Sequence, residues 1–179
     1  MSNKREHLAQ IAEELARRPF HGRTMGLRSN LKPLTNPFPR GPRGEFEGKW
    51  CGAFVYHCCV QVGFAIPARH PKPVSCSFAG VAAWVEWAKL PGNRFYASSR
   101  SRLFSPERGD LVVFDYVFDP SPHDHMGVVL AVENGWLLVA PDDYAAFDMT
   151  RPVFRTPDMT PEEVMALSNA IYRSFLQPS

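Results

Sequence analysis

The first half of the chain carries a helical rhythm of hydrophobic and polar positions, and the second half a strand-like one. Over residues 5–18, Leu8, Ile11, Ala12 and Leu15 recur at helical spacing, while Glu13, Glu14 and Arg18 lie elsewhere on the wheel. That pattern predicts an amphipathic helix. Pro19 ends it, because proline disfavours helix in the residue before it. Residues 19–49 hold five prolines, five glycines and six basic residues without periodicity. A connection of that length in a compact domain is either functional or disordered. The most apolar stretch is 50–64, where Phe54, Cys58 and Val62, and again Val55 and Cys59, recur at intervals of four. It reads as a buried helix with Gly63 as its C-cap. A second helix is predicted over 77–89, capped by Ser75 or Ser77 and stopped by Pro91-Gly92.

Beyond Pro106 the pattern turns β-rich. Short runs at Leu111 to Tyr116, Met126 to Glu133 and Trp136 to Ala140 predict strands. Asn134-Gly135 between the last two is a hairpin signal, because this pair suits the tight turn that matches strand twist. Arg151 to Arg155 adds a candidate fourth strand. Thr160-Pro161-Glu162-Glu163 writes a helix start, with a Thr cap, Pro at the first position and Glu at the third; that helix is expected to run to Phe175. Helices followed by a meander of antiparallel strands predict an α+β fold in a single domain, with N-terminal helices packed on a short antiparallel sheet.

Composition narrows this picture in two places. Seventeen prolines in 179 residues exclude a helical bundle or coiled coil and favour a loop-rich fold. The four cysteines, Cys51, Cys58, Cys59 and Cys76, are too few and too clustered for a disulfide framework. The net charge of +2 hides an asymmetry, since residues 1–44 carry nine Lys and Arg against three Glu. This divides the chain into a basic N-terminal helix and arm, 1–44, and a slightly acidic body, 45–179. A basic arm suits an anionic surface. Nucleic acid is a poor fit, because the arm has no long basic run and few aromatics on which bases would stack. The opening MSNKREHLAQIAEELARR has no apolar stretch of secretory-signal length, and no run is long enough to span a membrane. The expected site is the cytoplasm, or the exterior by a non-standard route.

The candidate chemistry begins at Cys51, on the front edge of the buried helix. A helix N-terminus favours a thiolate through its partial positive charge and N–H groups. The same groups, the backbone N–H of Cys51 among them, can hold the oxyanion of a tetrahedral intermediate. A cysteine nucleophile needs a base, and His125, at the entrance of a predicted strand, is the candidate. His123 would share a strand face with His125 as a metal pair, but no third ligand cluster accompanies them; neither metal nor cofactor is expected. Cys58 and Cys59 read as core residues. Trp84 and Trp87 read as core, with one of them a candidate cleft wall. Asp124, next to His125, would point to the opposite side of the strand and face solvent; with Trp50 it is also a candidate substrate-cleft residue.

Three strings in order carry a resemblance: Trp50-Cys51-Gly52-Ala53-Phe54-Val55, Pro106-Glu107-Arg108-Gly109-Asp110-Leu111-Val112-Val113-Phe114, and His125-Met126-Gly127-Val128-Val129. Together they resemble the CHAP family, the cysteine, histidine-dependent amidohydrolases/peptidases related to NlpC-type cell-wall peptidases, over residues 48–143. The Trp84-Val85-Glu86-Trp87 helix is also in keeping. The resemblance implies a papain-like fold over 45–179 with Cys51 as nucleophile and His125 as general base. The substrate it implies is an amide bond in peptidoglycan, cut by an endopeptidase or by an N-acetylmuramoyl-alanine amidase. Gly109-Asp110 would be structural, forming the turn into the strand. Relatives carry a Glu-Gly-Asn-like string after the next strand to orient the histidine; here it reads Val139-Ala140-Pro141-Asp142-Asp143. Asp142 is the first candidate for that role and Asp143 the alternative, since a carboxylate holds imidazole Nδ1–H and stabilises imidazolium. An anionic wall polymer becomes the natural partner of the basic arm. Two other readings keep the fold: an inactive binding or scaffolding module, and an exported effector or phage lysin of the same chemistry.

Overall fold

A computed structural model describes residues 4–18, 20, 29–38, 50–69, 77–90, 96–97, 105–115, 121–133 and 136–140. The order is α1 (Lys4–Ala16), α2 (Lys32–Thr35), α3 (Cys51–Gln61), α4 (Val81–Ala88), β1 (Leu111–Phe114), β2 (His125–Glu133) and β3 (Trp136–Ala140). The three strands form an antiparallel sheet in the order β1-β2-β3. The fold is α+β, with α1 and α3 packed against the central strand β2. The expected strand at 151–155 and the C-terminal helix from Thr160 lie outside the described residues, as do Ser75, Cys76, Asp142 and Asp143.

α1 forms where its spacing predicts and buries Leu8, Ala9, Ala12, Leu15 and Ala16. These join one cluster with Phe54, Val55 and Cys58 of α3 and with Met126, Val128 and Leu130 of β2. Alternation along a strand accounts for that last set, since every second side chain shares a face. Within the 19–49 stretch, the described residues 29–38 depart from the expectation of an aperiodic connection. α2 lies within it, and Leu31, Leu34 and Phe38 are buried in the same cluster, Phe38 with its ring 4.8 Å from that of Tyr56. Three apolar residues among prolines leave no periodic signal, yet they suffice to cover one side of α3.

α3 ends in a Schellman turn. Gly63 adopts φ +88°, its N–H donates to the Val60 carbonyl at 2.9 Å, and the Phe64 N–H donates to Cys59 at 3.0 Å. Only glycine enters this left-handed region without cost. α4 starts at Val81, later than the expected residue 77, and its N-cap is Gly80 without a side-chain cap. The reason is local: Ser77 bridges Arg69, and its hydroxyl accepts from the Ala79 N–H at 3.3 Å, which holds 77–80 in a turn. β1 is shorter than expected, stopping at Phe114. β2 and β3 pair with Glu133 opposite Trp136, as the hairpin reading of the sequence requires.

Candidate active site

The N-terminus of α3 is built to be approached closely. Trp50 is the N-cap and provides no side-chain cap. The first intrahelical bond runs from the Phe54 N–H to the Trp50 carbonyl, at 2.9 Å. The first-turn N–H groups, that of Cys51 included, therefore project from the helix end, where the helix dipole favours negative charge. Gly52 permits a tight neighbour, because a Cβ there would meet the carbonyl of Ala79 and lie 3.2 Å from that of Phe78. The turn before α4 thus packs directly on the first turn of α3. Phe78 also accepts the Trp84 indole N–H at 2.7 Å. Trp84 is buried and Trp87 partly buried, their rings meeting Phe78 edge-on.

Cys51 is 2% exposed and belongs to the same cluster as Met126, the neighbour of His125. Cys51, Cys58 and Cys59 are all thiols, none of them in a disulfide. Burial pushes the Cys59 thiol up to about 12. It also raises Cys58 well above the ordinary thiol range, with a further push from Cys59. These two are inert core residues. Trp50 is buried, its ring 6.1 Å from that of Phe20 and 6.3 Å from that of Phe54.

His125 is the first residue of β2 and fully buried. It pairs with Phe114 of β1, whose ring stacks on the imidazole at 5.9 Å and 21° between planes. Gly127 is required by the adjacent strand, since a Cβ there would collide with the Val139 side chain and stand 2.6 Å from the Ala140 carbonyl oxygen. His123 is not on the strand face expected for a metal pair. It precedes β2, in the left-handed region at φ +58°, beside Asp115. Asp124 is half-buried. Among the described residues no group of three or more His, Cys, Asp or Glu could hold a metal ion.

The turn before β1 is held on three sides. Asp110 Oδ2 accepts from the Glu107 N–H at 2.8 Å, and the Asp110 N–H donates back to the Glu107 carbonyl at 3.0 Å. The Gly109 N–H donates to Val129 at 2.8 Å, which extends the β1–β2 ladder. Gly109 has φ +86°, and a Cβ would run into the Arg5 backbone of α1. The neighbouring Arg108 is the residue whose role the motif alone did not reveal. Its Nη1 donates to the carbonyl of Leu130, at the register shift of β2 between Val129 and Ala131. Its other donors reach Glu6 at 3.1 Å and Glu13 at 3.0 Å on α1. Arg5 answers from α1 with ion pairs to Glu107 at 3.0 Å and Asp110 at 2.6 Å. One signal for this was available: Glu6 and Glu13 stand seven apart, on one helix face.

Compared with known families, residues 43–141 match the model of the CHAP domain. The chain belongs to the CHAP family. The match covers more than half of the sequence and takes in Cys51, the Gly109-Asp110 turn and His125. No curated protein and no solved structure matches the chain. CHAP domains are in general amidases or peptidases, typically acting on peptidoglycan. α1 and α2 precede the matched region, yet they share its core. No helix among the described residues is long and apolar enough to cross a membrane.

Proposed function

We propose that this protein is a thiol hydrolase of amide bonds in peptidoglycan, with Cys51 as nucleophile and His125 as general base. The observation that supports it is positional. Within the CHAP match, Cys51 opens α3 and His125 opens β2, two elements that pack on each other. Metal-free thiol chemistry needs only these parts. His125 takes the thiol proton, and the Cys51 sulfur attacks the amide carbonyl. The oxyanion is held by N–H groups at the front of α3, including that of Cys51. Collapse of the tetrahedral intermediate breaks the C–N bond, and the imidazolium gives its proton to the leaving amine. A water, its proton taken by His125, then cleaves the thioester to a carboxylic acid and restores the thiol. Asp142, or in the neighbouring register Asp143, is assigned to orient the imidazole; both lie outside the described residues.

The test is release of soluble fragments from purified peptidoglycan by the wild type and by Cys51→Ala. The wild type is expected to generate new amine termini and the variant none. Equal release by both proteins sinks the reading. No release by either would favour a binding module that keeps the fold.

A further inference from the structure

Between Asp115, one residue past β1, and His123, two before β2, the chain makes a contact that the proposed mechanism does not use. Asp115 Oδ1 accepts the backbone N–H of His123 at 2.7 Å. The His123 ring also sets Nδ1 2.9 Å from the same oxygen, at ion-pair distance but without hydrogen-bond alignment. His123 is the one non-glycine among the described residues with positive φ, at +58°. A left-handed conformation costs such a residue on the order of 1 kcal/mol or more, and persists only where its surroundings impose it. Here the Asp115 carboxylate holds the backbone N–H of the left-handed residue itself. The contact lies next to the terminal pair of the ladder, Phe114 with His125, and so closes the sheet end from which the candidate base projects.

We propose that Asp115 and His123 are positioning residues for His125: the carboxylate captures the His123 N–H, fixes the left-handed turn, and thereby sets the direction in which the chain enters β2 and aims the imidazole. This rests on the assignment of His125 as general base. The physical stake is angular, because misplacing a catalytic group by about 1 Å can lower a rate on the order of a hundredfold. Left-handed backbone suits asparagine and resists β-branched residues. That preference turns the idea into an ordered series.

The experiment uses the full chain and soluble muropeptides, with kcat and KM measured separately. His123→Asn keeps both the backbone N–H and the tolerance for positive φ, and is expected to stay within about twofold of wild type. Asp115→Asn keeps an acceptor oxygen and should lose no more than about threefold in kcat. Asp115→Ala and His123→Val should each lower kcat about tenfold or more while KM stays within about twofold, the signature of a misaimed group. If the last two variants fold and turn over at the wild-type rate, the proposal is wrong. It is equally wrong if His123→Asn falls as far as His123→Val, since the imidazole itself would then matter. Should Asp115→Ala not fold, His123→Val against His123→Asn decides. Failure of the underlying assignment reads differently, as a His125→Ala variant that retains activity. In that case the ring resonances of His125, expected to shift in Asp115→Ala and not in His123→Asn, still report whether the contact aims the ring.

Discussion

Where the register of β2 shifts, at Leu130, the strand is tied to distant parts of the chain. Arg108 joins the Leu130 carbonyl to Glu6 and Glu13, which lie 102 and 95 residues before it. The His125 end has short-range ties among the described residues: Phe114 stacked from the neighbouring strand, and Asp115 holding His123 eight residues away. The first end depends on the complete fold, because α1 must be docked before Arg108 finds its carboxylates. The second draws the stacking and the Asp115–His123 bond from the β1–β2 pair and the residues just beyond it. With His125 as the proposed general base, stability and chemistry would fall at different ends of one strand. Damage at the Leu130 end is expected to lower stability with chemistry spared, and damage at the His125 end to do the reverse.

The sharpest way to break this contrast is Gly109→Ala. A Cβ in the left-handed region, driven into the Arg5 backbone, is expected to cost about 3 kcal/mol in denaturant unfolding. A stability close to wild type would mean that α1 is not seated against the turn. Thiol chemistry sharpens the other end. At pH 8, site-resolved iodoacetamide labelling should modify Cys51 at least about a hundredfold faster than Cys58 or Cys59. Cys59, pushed up to about 12, and Cys58, also raised, stay protonated at that pH. Comparable labelling of all three would deny Cys51 its special environment.

Arg108→Ala comes next. It removes the donor from the Leu130 carbonyl and strips Glu6 and Glu13 of their partner. These groups are partly solvent-screened, so the expected loss is about 2 kcal/mol rather than the full value of several charge-assisted bonds. Hydrolysis by the folded fraction should be unchanged; a fall in kcat would show that the two ends communicate. The smallest effect is expected at His57 of α3, half-buried. Desolvation, with a smaller contribution from Arg18, holds its imidazole below the ordinary 6.5. The unfolded chain then binds the proton more readily, so stability is full above 6.5 and falls as pH drops toward the lowered folded value. His57→Gln should flatten the pH dependence of unfolding just below 6.5, by less than about 1 kcal/mol. An unchanged slope would assign that dependence to other groups.

How much of this was legible depends on the reach of each interaction. The spacing of Leu8, Ala12 and Leu15 marks α1 because helical periodicity is local. Gly63 marks the end of α3 for the same reason. The run Pro106 to Phe114 marks the turn and strand as a motif, and Gly127 in the His125–Val129 string stands where the neighbouring strand comes too close for a side chain. α2 escaped notice because its buried residues answer to α3 and not to one another. The late start of α4 escaped because Ser77 is engaged with Arg69, a partner that helix-capping rules do not contain. Within the candidate site, the positions of Cys51 and His125 at the beginnings of their elements were readable. That His123 turns left-handed against Asp115 was not, since alternation assigned it to a strand face.

By itself, then, the sequence determined α1, α3 and the three strands, the family and the residue types available for thiol chemistry. These follow from short-range preferences and ordered motifs. The tertiary structure alone decided that the N-terminal helix shares the core of the CHAP domain, that Arg108 serves the β2 carbonyl and two α1 carboxylates together, and that a left-handed turn precedes His125. Each of those is a contact between groups remote in sequence, or a backbone state imposed by one, and no local preference encodes either.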